Sequence, residues 1–105
     1  MIYKNPQQVT SPQDAVSNIR VILDQGENGV SVALLDWFGL PNIAIRYNVS
    51  HKEWDNEDKA SETVECVGNP VSRGYPTWFI LPQDLFNEQS EMLSTIRNAI
   101  NNINL

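Results

Sequence analysis

The sequence has one cysteine, Cys66, and one histidine, His51. A lone cysteine excludes an internal disulfide, and a lone histidine cannot build a multi-histidine metal site. A nucleophile–base pair would need Cys66 or a serine beside His51, and nothing in the chain order brings them together. There is no GxGxxG, no GxxxxGK(S/T) loop and no GxSxG elbow, so the common dinucleotide, phosphate-cradling and hydrolase signatures are missing. No apolar run approaches the roughly 20 residues of a membrane-spanning helix. The start, Met1-Ile2-Tyr3-Lys4-Asn5-Pro6, lacks the apolar core of a secretory signal. These absences lead us to expect a cytoplasmic chain with no catalytic set, no metal and no cofactor.

Basic side chains are also scarce. Seven Lys and Arg stand against thirteen Asp and Glu, for a net charge of −6. Such a chain repels nucleic-acid phosphates unless it carries a local basic patch. The only neighbouring basic pair, His51–Lys52, is crowded by acids. Neither nucleic acid nor an anionic membrane surface is therefore expected as a partner. A basic protein would be attracted, although charge of this size also serves plain solubility.

What is present fits a single α+β domain spanning 1–105. At 105 residues, 41% hydrophobic and 19% charged, the chain can bury a core without disulfide or metal staples. Ser11-Pro12-Gln13-Asp14 reads as a helix start. Apolar residues at Ala15, Val16, Ile19, Ile22 and Leu23 then keep one helical face. A first helix over 12–25 is the expectation, stopped by Gly26.

Residues 30–37 are apolar on both alternating sets, as in a central strand covered on two sides. Residues 42–49 alternate as in a half-exposed antiparallel strand. Ile43, Ile45, Tyr47 and Val49 fall on one face, with Asn42, Ala44, Arg46 and Asn48 on the other. The short Phe38-Gly39-Leu40-Pro41 link makes these two strands a hairpin. The charged run 50–60 reads as a mobile loop, 61–67 as a weaker strand and 77–81 as a short one. Helical spacing returns after Pro82, with a break near Asn87. The expected order is α-β-β-β-β-α: a four-stranded, mostly antiparallel sheet in two layers with its terminal helices.

The stiffest segment is Gly68-Asn69-Pro70-Val71-Ser72-Arg73-Gly74-Tyr75-Pro76-Thr77-Trp78. Arg73, flanked by small residues, could clamp a small anionic ligand, with Tyr75 and Trp78 as a flat wall. The competing reading is a structural turn with Arg73 paired to an acid and the aromatics in the core. Asp36 could act as a base if buried, pair across strands with Arg46, or serve as a turn acceptor. Cys66 reads as an inert core residue, and His51 as a solvated one. Glu53, Asp55, Glu57 and Asp58 lack the glycine and ligand spacing of a calcium loop. Trp54 within that run marks a contact, either back onto the domain or onto a partner. Trp37, at the end of the apolar strand, is the remaining candidate contact residue.

The Ile43-to-Asn48 strand followed by the Gly68-to-Pro82 segment resembles small uncharacterised bacterial proteins of mobile gene cassettes, of the integron cassette type. The likeness spans about the middle half of the chain. It implies an accessory protein and carries no site residues with it.

Three functional readings follow. The first is a non-enzymatic binding module, working through a protein partner or through self-association as a homodimer, with Trp37, Trp54, Arg73, Tyr75 and Trp78 as contacts. The second is an acidic inhibitor or immunity-type protein that masks a basic partner. The third is a small-molecule-binding protein or enzyme centred on Arg73 and Asp36.

Overall fold

Strand β2 (Val30–Trp37) runs through the middle of the sheet, and everything else is placed by it. The computed structural model describes residues 1–103. The fold is α+β. The sheet order is β1-β2-β3-β6, with β1 (Val16–Asp24), β3 (Leu40–Tyr47) and β6 (Phe79–Ile80) all paired antiparallel. A separate two-stranded ribbon joins β4 (Val71–Ser72) to β5 (Tyr75–Pro76). The β2–β3 hairpin closes over Phe38 and Gly39, at φ +49° and +82°. Two successive positive φ values match the right-handed twist of the strands they join.

The expected helix over 12–25 does not form. The only helical turn before β1 is the 3₁₀ turn Pro6–Gln8, and most of the expected helix is β1 itself. Two irregularities explain the misleading spacing. The register against β2 slips between Ser17 and Arg20 and again between Val21 and Leu23. Each bulge inserts one residue and breaks the period of two, so the apolar positions drift into helix-like intervals. The β-branched side chains of Val16, Ile19, Val21 and Ile22 favour the strand regardless.

No strand forms over 61–67. Cys66 instead makes a lone parallel bridge to Tyr3, receiving the Lys4 N–H at 2.9 Å and donating to Ile2 O at 3.0 Å. The charged run 50–60 is ordered, as a 3₁₀ turn at His51–Asp55 and the short helix α1 (Glu57–Ala60). The break after Pro82 is real: a 3₁₀ turn, Gln83–Phe86, precedes helix α2 (Glu91–Ile103).

Among the described residues the core lies on one face of the sheet. Val16, Ala33, Leu35 and Ala44 point into it, covered by Val9 and Trp78 from outside the sheet. The Trp78 indole N–H donates to Val9 O at 2.7 Å, which satisfies its polar edge inside the core. Helix α2 does not complete a second layer. Its main packing partner among the described residues is the Gln83–Phe86 turn, and none of its residues is buried. The radius of gyration, 15.5 Å, exceeds the roughly 13 Å of a close-packed chain of this length.

Candidate interaction surface

Strand parity decides which side chains face the core. Ser31 pairs with Arg46 and Ala33 with Ala44, and all four are buried. The alternate set is Val30, Val32 and Leu34 on β2 opposite Tyr47, Ile45 and Ile43 on β3. That set faces away from the core. The two sides of β3 are thus reversed from what hydrophobicity alone suggests: its arginine points in and its isoleucines point out.

Arg46 can turn inward because its donors are used. Its guanidinium donates to the carbonyls of Thr77, Val67 and Pro70. Burial lowers its pKa to about 10, opposed by the nearby charge of Glu53, which leaves it protonated at neutral pH. Glu53 is buried as well, at 4% exposure. It accepts from the N–H groups of Ser50 (2.9 Å), Val67 (2.8 Å) and Gly68 (2.8 Å), and from Lys59 Nζ at 2.6 Å. Burial pushes its carboxyl up. The Lys59 ammonium and the three backbone donors outweigh that and hold it at about 2. Beside them Ser31 donates to Asn48 at 2.7 Å, and Asn48 reaches Asp24 and Gly26 O. Among the described residues no buried side-chain polar atom lacks a partner. These groups hold the fold together and offer nothing to a ligand.

The outward side is different. Leu34, on the central strand, is 38% exposed. Its cross-strand neighbours are the exposed Arg20 of β1 and the half-buried Ile43 of β3. Along the same face from them stand Leu23 of β1, Tyr47 of β3 and Phe79 of β6, all exposed, with Asp36 toward the hairpin end. The half-buried Val30, Val32, Ile43 and Ile45 fill the space between. Among the described residues nothing covers the second face of β2: one face is covered and the other is an open, mostly apolar sheet. Scattered apolar residues need no explanation, but a contiguous face does. Helix α2 adds a second surface of the same kind. Met92, Ile96, Ile100 and Ile103 fall on one stripe, and each is at least 38% exposed.

The residues expected to form a site are dispersed. Trp78 is a core residue and Trp37 is half-buried on the covered face, edge-on to Phe38 with 5.1 Å between ring centroids. Neither is free to contact a partner. Arg73 and Gly74 form the β4–β5 turn at φ +53° and +82°, but of the two aromatics only Trp78 lies in the core and Tyr75 is exposed. Arg73 and the exposed Tyr75 do share an open recess of about 370 Å³ with Ser11 and Pro12. Trp78 and Asp36 lie outside it.

Asp36 is not the partner of Arg46. It sits opposite Pro41, on the other face of the sheet, and accepts from Asn18 Nδ2 at 2.7 Å. Trp54 is 42% exposed and lines a recess of about 340 Å³ with Tyr47, Val49 and His51. Cys66 is fully buried, and burial followed by the Glu53 charge pushes its thiol up, the wrong direction for a nucleophile. Among the described residues no three His, Cys, Asp or Glu converge as metal ligands, and no helix is long and apolar enough to cross a membrane.

The sequence shows the two alternating sets of β3 but not which of them faces inward, since the carbonyl partners of Arg46 lie more than twenty residues away. A signal for Glu53 was present, as Ser50 and Glu53 stand at the spacing of a capping box. No protein-family model, curated protein or solved structure matches the chain.

Proposed function

We propose that this chain is a non-enzymatic association module that works through its open sheet face. One observation carries the reading. The outward set of β2 and β3, apart from Asp36, is apolar, whereas the inward set holds Ser31, Asn42 and Arg46. Sequences place their most apolar strand face against something. A helix-on-sheet, two-layer arrangement is then reached on association.

A cytoplasmic location and an accessory role, as in the mobile-cassette proteins the sequence resembles, are in keeping with this reading. An anion site at Arg73 has less behind it: the recess holds one exposed cation and a single aromatic.

Hydroxyl-radical footprinting tests the reading. The purified chain at high dilution is compared with the chain inside the cells that produce it. Leu34, Tyr47 and Phe79 are expected to be oxidised several-fold less in the cell, while Tyr75 changes little. Equal oxidation of all four in both settings overturns the reading.

A further inference from the structure

We propose that two copies of this chain exchange their α2 helices, each laying its apolar stripe across the open sheet face of the other. This deepens the association reading and rests on it.

The helix requires cover. It has 13 residues, and isolated helices of that length are marginal in water, their stability coming from packing of an apolar face. Glu91 and Arg97 are its only charged residues, so its polar side does little to hold it alone. The sheet face requires cover for the reason given above. Both needs sit on the same chain, yet they do not meet within it. Ser90 Oγ accepts from Leu93 N–H at 3.1 Å to start α2 and donates to Asp84 O at 2.6 Å. That second bond fixes the helix start to the Gln83–Phe86 turn. Gln83 Nε2 in turn donates to Asn42 Oδ1 at 3.3 Å, at the beginning of β3. The joint holds α2 as an arm, away from its own sheet.

Size supports a second copy as the occupant. The helix is about 20 Å long, and eight-residue strands present about 26 Å, so the arm fits along the face. A fully exposed large apolar side chain offers about 200 Å². On that basis the four exposed sheet residues and four exposed helix residues named above leave roughly 700–800 Å² per chain. A reciprocal pair buries about twice that, close to the ~1,600 Å² of a standard stable interface. Each chain supplies one helix and one face, and a two-fold pair consumes both with nothing left over.

Complementation tests the exchange on the full chain. Ile96→Asp spoils the helix stripe and Phe79→Asp spoils the sheet face. Both positions are exposed, so each variant is expected to fold, checked by far-ultraviolet circular dichroism. Mass is read by light scattering and native mass spectrometry. The unaltered chain is expected to be a dimer at about 10 μM, and each substitution to raise the dimer Kd at least about a hundredfold. Mixing the two variants restores one of the two joints, so a one-to-one heterodimer should appear where neither variant dimerises alone. An unaltered chain that stays monomeric, or a mixture that forms no heterodimer, overturns the exchange. If Phe79→Asp disrupts the dimer and Ile96→Asp does not, the exchange falls but the sheet-face reading stands. If neither substitution changes mass or footprint, both fall.

Discussion

Glu53 and Arg46 hold the same residue from its two ends: Val67 N–H donates to Glu53 Oε2 at 2.8 Å, and Val67 O accepts from the Arg46 guanidinium. Two opposite charges, both buried, thereby fix one short stretch of backbone against the end of β3. This clamp ties the segment leading into β4 to the sheet, and it explains why two charged side chains are retained inside a small core. Buried charges are tolerated when each polar atom has a partner.

The clamp makes stability acid-sensitive with a definite sign. The Glu53 carboxyl titrates near 4.5 when unfolded and near 2 when folded. Because the folded value is depressed, its contribution is fully present above about pH 4.5 and is lost as pH falls toward 2. The contribution is on the order of 3 kcal/mol. Glu53→Gln should cost a comparable amount at pH 7 and flatten the stability profile between pH 4.5 and 2. Urea unfolding at a series of pH values measures both. An unchanged acid slope in the variant would show that other carboxylates carry it.

Arg46→Met should cost about 3 kcal/mol, since it leaves the carbonyls of Val67, Pro70 and Thr77 without their donor. Both clamp residues act through Val67, so the double variant with Glu53→Gln should cost clearly less than the sum of the singles. Chemical denaturation of the four proteins closes the cycle. Additivity within about 0.5 kcal/mol would show that the two ends act independently.

Two glycines with positive φ should respond differently to alanine. At Gly68, φ is +69° and an added Cβ would stand 2.1 Å from Tyr47 O and 2.8 Å from Asn48 O. Backbone atoms cannot yield, so Gly68→Ala should cost more than about 3 kcal/mol. At Gly74, φ is +82° with nothing within 4 Å of the added atom, so Gly74→Ala should cost only the conformational ~1–2 kcal/mol. Thermal unfolding of the pair checks the ordering.

Phe38 is a bulky residue at φ +49°, a region that disfavours it. Asparagine suits that position of a two-residue hairpin turn. Phe38→Asn should therefore stabilise the chain by about 0.5–1 kcal/mol, less whatever the edge-on contact with Trp37 contributes. A lowered midpoint in denaturant would mean that the aromatic contact outweighs the backbone cost.

The sequence carried the sheet better than the strands that build it. The hairpin from 30 to 49 was legible because its period of two runs unbroken and its turn holds a glycine. The first strand was not, because two bulges mimic helical spacing, and only the β-branched content of 16–22 argued otherwise. Arg46 was unreadable as a core residue, and for Glu53 the local capping-box spacing reports only the Ser50 contact: their burial depends on carbonyls and N–H groups far along the chain. For the same reason the aromatic and glycine content around Arg73 gave a turn and a buried Trp78 rather than a gathered site. The surface that stands out was visible only as parity, Ile43, Ile45 and Tyr47 against Arg46 and Asn48. Choosing which set faces inward required knowing where the arginine's partners lie.

Salt separates apolar association from an acidic surface that masks a basic partner. Each copy carries −6, so two copies repel through their net charge while their apolar faces attract. Raising ionic strength from about 50 to 500 mM shortens the screening length from roughly 14 to 4 Å and removes most of that repulsion. The self-association constant should therefore stay level or tighten by a few-fold with added salt. A charge-masking complex would do the opposite, weakening steeply because attraction between unlike charges is what salt screens. Sedimentation equilibrium at three salt concentrations reads the sign directly. Burial of the open face should also give a negative heat-capacity change on association, measured by dilution calorimetry at several temperatures. Self-association that weakens tenfold or more across this range would place charged rather than apolar groups at the interface.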